Sequence, residues 1–338
     1  MLQINNLSMN YEIEGTPVRA IRHVDLSLDR GEILGLVGES GCGKSTVLLA
    51  IMGLLPFPGR IVEGSICFEG RDLTTLPAAE MRSLRGNDIS MIFQDPMTTL
   101  NPVFRVGEQI REVLQVHKTV RKNGPFQWFD RAGKRKEIET VFKLMQEVGI
   151  PSVKDRYREF PHEYSGGMQQ RALIAAALAC RPSLLLADEP TTALDVTIQA
   201  QIVALLEGIN RKHRTAIVLV THDLALATEF CNRIAVMYAG EIVEEGSTDE
   251  IIEHPRHPYT MGLLKSIPKI SGQKERIEPI SGTVPDLAEL PPGCAFSQRC
   301  HSRSPRCHHA VELIEIDPGH RVRCVLIERG ECKGVKRD

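Results

Sequence analysis

Apolar residues along the chain follow two alternating rhythms. Short continuous apolar runs occur in "GEILGLVG" (31–38), "RPSLLLADEP" (181–190) and "TAIVLVTHDLA" (215–225). Runs of this length are typical of strands buried on both faces of a parallel sheet. The first continues into "ESGCGKSTVLLAIMGLL", which predicts strand, glycine loop and helix in succession. "NRIAVMYAGEIVEEG" predicts a hairpin turning near Gly240. Between Val103 and Ala179 the rhythm lengthens, as in "VGEQIREVLQVH" and "EIETVFKLMQEVGI". These amphipathic stretches predict a helical block over roughly 103–180. From about Ser266 onward Pro and Gly become frequent and periodicity fades, so a separate loop-rich region is expected. The predicted class is α/β, with a first domain over 1–265 and an extension over 266–338.

Composition narrows the function classes. The 338 residues hold 41 basic and 43 acidic side chains, a formal net charge of −2. No global basic field points to nucleic acid. The start, "MLQINNLSMNYEIEG", lacks a basic segment followed by an apolar core, so no secretory signal is expected. The longest apolar run, Ala172–Cys180, falls short of the roughly 20 residues a bilayer-spanning helix needs. A soluble protein of the reducing cytoplasm is expected. There, nine cysteines favour free thiols or metal ligation over disulfides.

Three stretches carry chemistry. "GESGCGKS", Gly38–Ser45, fits the phosphate-loop pattern between a strand and a helix. Its glycines let backbone N–H groups point at phosphates, and the helix N-terminus adds its dipole. Lys44 is placed to reach the β/γ-phosphates and Ser45 to ligate Mg²⁺. In "LLLADEP", Leu184–Pro190, an apolar strand ends in two carboxylates. Asp188 suits the Mg²⁺ shell and Glu189 suits polarisation of an attacking water. "YSGGMQQR", Tyr164–Arg171, offers a second anion-binding helix start at Ser165, Gly166 and Gly167. Two such starts in one chain make sense if two chains pack head-to-tail, each closing over the nucleotide of the other.

The ordered set "GESGCGKST", "FQDP", "YSGGMQQR", "LLLADEPTTALD" and "VTHD" resembles the ATP-binding subunits of ABC transporters, over about residues 1–265. The resemblance implies a P-loop NTPase core with a mixed sheet, an inserted helical subdomain and two composite ATP sites in a dimer. It implies an ATP-binding set of Tyr11, Gly38, Ser40, Gly41, Cys42, Gly43, Lys44, Ser45, Thr46 and Gln94, with Tyr11 as the ring stacked on adenine. Mg²⁺ falls to Ser45, Gln94 and Asp188. Ser165, Gly166, Gly167, Gln169 and Asp195 act across the interface, and Glu189 and His222 carry hydrolysis. Tyr164 replaces the commoner Leu and Met168 the commoner Gln, while Ser165 and both glycines are intact. Cys42, at a helix N-terminus, has two readings: an activated thiol of lowered pKa, or a small residue that merely fits. The second is preferred.

Finer features, "FQDPMTTLNPVFRVGEQI" and "HPYTMGLLKSIP", resemble the dipeptide, oligopeptide and nickel uptake group. That resemblance implies two membrane permease subunits, a paralogous ATPase subunit in a heterodimer (with a homodimer as the alternative) and an external solute-binding protein. Peptide is the preferred cargo, with nickel or another small solute next. The turn Thr99–Pro102 is the expected permease contact. The basic stretch 121–136, which holds the only tryptophan, is either a solvated loop or a contact with permease or lipid headgroups. Soluble ABC ATPases of DNA repair or ribosome work are the competing class. One cassette without sustained heptads argues against them.

The tail holds Cys294, Cys300, Cys307 and Cys324 in the spacing C-x5-C-x6-C-x16-C, followed by Cys332. Structural zinc usually takes at least one tight pair, and none is present. Wider loops suit a bulkier iron–sulfur centre. The uptake group often has a similar cysteine box, matched by Cys294, Phe296, Arg299, Cys300, Cys307 and Cys324. A [4Fe–4S] cluster on the four cysteines is expected, with Zn²⁺ as the alternative. His301, His308, His309 and Cys332 are substitute ligands. A structural role for such a centre is preferred to a sensing role.

Overall fold

The computed structural model describes residues 1–121, 131–192, 194–267 and 280–327. Most of the basic stretch 121–136, and Cys332, lie outside the described residues. In chain order the first elements are β1 (Leu2–Ile13), β2 (Thr16–Leu28), β3 (Ile33–Val37), α1 (Lys44–Met52), β4 (Arg60–Phe68), β5 (Arg71–Asp72), α2 (Ala78–Leu84) and β6 (Ile89–Ile92). The helical block follows with α3 (Pro96–Thr99), α4 (Val106–Arg121), α5 (Arg131–Glu147), α6 (Val153–Arg156) and α7 (Gly166–Ala177). Next come β7 (Leu184–Asp188), α8 (Val196–His213), β8 (Ala216–Thr221), α9 (Leu224–Phe230), β9 (Arg233–Tyr238) and β10 (Glu241–Ser247). The described chain ends with α10 (Thr248–Glu253), α11 (Pro258–Lys265), β11 (Ile314–Asp317) and β12 (His320–Val322). No described helix is long and apolar enough to cross a membrane.

Two compact units emerge. One comprises Met1–Asp29, Ile33–Thr75 and Leu219–Asp338, and the other Arg30–Glu32 and Leu76–Val218. In the first unit, β2, β1, β4 and β5 form an antiparallel sheet in that order. Its buried face collects Leu2, Ile4, Leu7, Met9, Ile21, Val24 and Leu28. A second run of neighbouring strands in this unit is β11-β12-β10-β9-β3. It is mixed: β3 pairs parallel with β9, whereas β9 and β10 are antiparallel. The expected hairpin turns at Ala239 and Gly240, both at positive φ (46° and 85°), a backbone that matches strand twist in two-residue hairpins. All five β3 residues are buried, as its unbroken apolar run requires.

The tail contributes more regular structure than fading periodicity implied. β12 pairs with β10 through Glu244↔Val322 and Glu245↔Arg321. Glu245, almost fully buried, is held by Arg233 at 3.0 Å and by Arg321. Removing one partner of a buried pair of this kind costs about 3–5 kcal/mol. His320, also buried, places Nε2 at 2.9 Å from Glu244 Oε1. Strands of three or four residues are too short to show alternation, so only their partner strand reveals them.

In the second unit, β6 and β7 pair in parallel from Ile89↔Leu184 to Ile92↔Ala187. The helical block packs Val106, Ile110, Val141, Met145, Val148 and Ile174 inward. Their spacing within α4 and α5 is the i, i+4 rhythm read from the sequence. Gly107 lets α4 approach Tyr157, whose ring lies only 2.1 Å from where a Cβ would stand.

Candidate nucleotide and metal sites

The expected phosphate loop connects β3 to α1, as its sequence required. Its glycines answer to close backbone approaches. A Cβ on Gly38 would lie 2.2 Å from Met237 O, and Gly43 adopts φ +105° with Ala20 O 2.7 Å from a would-be Cβ. Lys44 is buried, and its Nζ donates to Gly38 O at 2.8 Å and Glu39 O at 2.9 Å. Ser40 and Gly41 are exposed at the loop tip, while Ser45 and Thr46 are half-buried at the helix start. Tyr11 lies on β1 opposite Val18, half-buried, with Cε1 close against Gly59. His222 is exposed just after β8, where Asp223 caps α9 by accepting from Leu226 N at 3.2 Å.

Cys42 corrects the idea of an activated thiol. It is fully buried, and burial pushes its pKa up, outweighing the lowering influence of Lys44. Hydrogen bonds from the Lys44 and Cys42 backbone do not compensate for the lost hydration. Cys42 therefore acts as a packed small residue, the preferred reading of its position.

In the other unit, Asp188 closes β7 as a buried carboxylate, and Glu189 follows at φ +45°. A non-glycine residue in this region is rare and concentrates at functional sites. Glu189 Oε2 accepts from Gln94 Nε2 at 3.2 Å and from Thr192 Oγ1 at 2.8 Å. Two donors on one oxygen orient the carboxylate. Thr192 was not singled out in the sequence, although its place three residues beyond Glu189 was a usable signal. Gln94 itself is exposed.

Ser165 caps α7, accepting from Met168 N at 3.4 Å, and Asp195 caps α8, accepting from Ile198 N at 3.0 Å. The two starts are close: a Cβ on Gly167 would lie 2.9 Å from Ile198 Cγ2, whereas Gly166 has room. Gln169 was expected to act across the interface with Ser165 and the two glycines. Its side chain is buried and donates to Pro161 O at 2.8 Å, so it braces the segment ahead of the helix. Tyr164 is also buried, its hydroxyl donating to Arg156 O at 2.9 Å. The unusual residue at this position thus locks the loop to α6.

The turn after Gln94 is held rigidly. Gln109 accepts from Asn101 N at 2.9 Å and donates to Asn101 O and Phe104 O at 3.0 and 2.9 Å. Leu100 is buried beneath it, while Met97, Val103 and Phe104 face outward at 74%, 71% and 57% exposure.

The tail cysteines converge in part. Cys307 joins Val311 and Val325 in a small apolar cluster, against which Cys294 packs. Cys294 N donates to Cys307 O at 2.9 Å. Burial, with a smaller contribution from neighbouring Cys307 and Cys300, pushes the Cys294 thiol up to about 11. Among the described residues, no group of three or more His, Cys, Asp or Glu side chains is arranged to hold a metal ion. The donor chemistry fits a soft metal, but the described geometry does not by itself make a ligand set.

The comparisons agree with this anatomy. The ABC transporter family matches residues 21–192, and the oligopeptide/dipeptide transporter C-terminal region matches residues 243–307. The oligopeptide transport ATP-binding protein OppD of Haemophilus influenzae is 45% identical over 96% of this chain and 97% of its own length. The dipeptide transport ATP-binding protein DppD of Bacillus subtilis is 46% identical over 96% of this chain and 94% of its own. Among solved structures, the post-hydrolysis dimer of the ATP-binding cassette MJ0796 with ADP and Pi superposes with TM-score 0.63. It is 27% identical and covers 73% of this chain and 99% of that one. A mixed α/β core, a glycine loop closed on its lysine and a doubly oriented carboxylate after β7 agree with these likenesses: the chain belongs to the ABC transporter ATPases.

Proposed function

We propose that the chain is the ATP-hydrolysing subunit of a membrane importer for di- and oligopeptides. The observation that carries the reading is Glu189, held at the end of β7 by Gln94 and Thr192. On this reading Lys44 and the loop amides of Gly38–Ser45 bind the β- and γ-phosphates, and Tyr11 stacks on adenine. Glu189 accepts a proton from the attacking water, and His222 steadies the γ-phosphate. Ser45, Gln94 and Asp188 supply hard oxygen donors suited to Mg²⁺. When bound, Mg²⁺ neutralises charge on the phosphates. Ser165, Gly166, Gly167 and Asp195 serve the partner's nucleotide, whereas buried Gln169 supports them from behind.

The exposed Met97, Val103 and Phe104 around a turn braced by Gln109 form the surface for a permease helix. Membrane attachment is peripheral, on the cytoplasmic face, with two permeases and a paralogous ATPase as partners. Peptide cargo rests on the matched C-terminal region and the relatives' names. Hydrolysis by the assembled transporter that rises with peptide-loaded binding protein, and stays at baseline with nickel, tests it. The reverse response assigns the cargo to nickel.

A [4Fe–4S] cluster on Cys294, Cys300, Cys307 and Cys324 remains a proposal. It is supported by their spacing and by the packing of Cys294 against the Cys307 cluster. Purification without oxygen, with iron, sulfide and zinc quantified, tests it. A colourless zinc-loaded chain assigns the cysteines to zinc.

A further inference from the structure

Arg299, in the C-terminal segment, grips the phosphate loop. It directs Nη1 at Glu39 Oε2, 2.6 Å away, and Nη2 at Glu39 Oε1, 3.0 Å away. Its Nε donates to Ser281 O at 2.9 Å. The guanidinium lies 5.8 Å from the Tyr238 ring and 5.9 Å from the Phe296 ring. Only 5% of the Arg299 side chain is exposed, so its geometry is fixed on every side.

Glu39 is the second residue of "GESGCGKS". Its amide donates to the Tyr259 hydroxyl at 3.0 Å, and its carbonyl accepts from Lys44 Nζ at 2.9 Å. Side chain, amide and carbonyl are all engaged, the last by the lysine expected to meet the phosphates. Tyr259, Tyr238 and Phe296 pack as one aromatic group, with ring centroids 4.6 to 5.3 Å apart.

A carboxylate in a loop built to attract phosphate presents a charge problem. Left unpaired, Glu39 repels the bound triphosphate, and part-burial strengthens that repulsion relative to water. A bidentate arginine cancels the charge and fixes its direction. We propose that Arg299 is a positioning residue for nucleotide binding: from the C-terminal segment it neutralises Glu39 and holds the phosphate loop, so ATP affinity depends on the tail. The proposal rests on the ATPase reading and extends it to the C-terminal segment.

The test measures binding of the non-hydrolysable analogue AMP-PNP with Mg²⁺ to the full chain by calorimetry. Arg299→Gln is expected to weaken binding about tenfold. Arg299→Lys, which keeps the charge but loses the bidentate fork, binds more tightly than Arg299→Gln and less tightly than wild type. The double variant Glu39→Gln/Arg299→Gln recovers most of the loss, because the repelling charge is gone. A purely structural link gives no such recovery. Glu39→Gln alone, with Arg299 unopposed, tightens binding about twofold or more. Wild-type affinity in Arg299→Gln, or a double variant as weak as the single, overturns the proposal. Where Arg299→Gln fails to fold, Glu39→Gln decides: unchanged or weaker binding overturns it. A wild-type chain that does not bind AMP-PNP overturns the ATPase reading instead.

Discussion

Gln94 donates to the Glu189 carboxylate at 3.2 Å, joining two segments 95 residues apart in sequence. Gln94 also begins the rigid turn whose apolar side chains face outward. A displacement of that turn is therefore felt at a carboxylate oxygen, and on the proposed function this link is the route from the permease surface to Glu189.

Glu189→Gln is expected to keep nucleotide affinity while lowering the turnover rate by about 10²–10⁴, the range for a lost general base. Thr192→Val removes a donor to the same oxygen, worth about 1 kcal/mol, and lowers turnover about fivefold. Steady-state ATPase assays on the assembled transporter check both. Equal rates for Thr192→Val and wild type would show that the Thr192 hydrogen bond is dispensable to the carboxylate's role.

Gly38→Ala should be far more damaging than Gly41→Ala. The first Cβ meets Met237 O at 2.2 Å, whereas nothing lies within 4 Å of the second. Overpacking of this kind costs about 1–3 kcal/mol, against about 1 kcal/mol for the strained φ at Gly41. Thermal melts with and without nucleotide separate the two effects. Gly38→Ala is expected to lose stability and nucleotide binding together.

Cys42 is expected to resist alkylation in the folded chain near neutral pH and to react readily once unfolded. Its thiol is fully buried and burial raises its pKa, so little thiolate is available. Mass spectrometry of the labelled native chain checks this. Rapid labelling of native Cys42 would restore the activated-thiol reading.

His257 is fully buried and caps α11, with Nδ1 accepting from Tyr259 N at 3.1 Å. Burial lowers its pKa to about 4, with Glu244 opposing the shift and Arg323 adding to it. Because the folded value lies below the unfolded one, the contribution to stability is full above about pH 6.5. It is lost progressively as pH falls from there toward about 4, up to roughly 3 kcal/mol. Denaturant melts across that window should show the loss, and His257→Asn, which retains a cap acceptor, should flatten it. An unchanged slope in the variant would assign the pH dependence to other groups.

Much of the fold was legible because its strands are buried on both faces and its glycine loop has no freedom of spacing. β3, β7 and β8 coincide with the three apolar runs, and α4, α5 and α7 with the amphipathic block. β12 was not legible, since three residues carry no period and its paired residues on β10 lie 76 to 78 positions earlier. The roles of Gln169 and Cys42 depended on burial, which motif spacing does not report. Arg299 and Glu39, 260 residues apart, each sat inside a recognised stretch, yet their pairing belongs to the fold alone.

The most direct measurement is uptake of a labelled dipeptide into cells carrying the complete transporter with either the wild-type chain or Glu189→Gln. The expected result is ATP-dependent accumulation with wild type and none above background with the variant, although both chains bind nucleotide. Accumulation that survives Glu189→Gln, or a transporter that accumulates nickel and ignores peptide, would contradict the account.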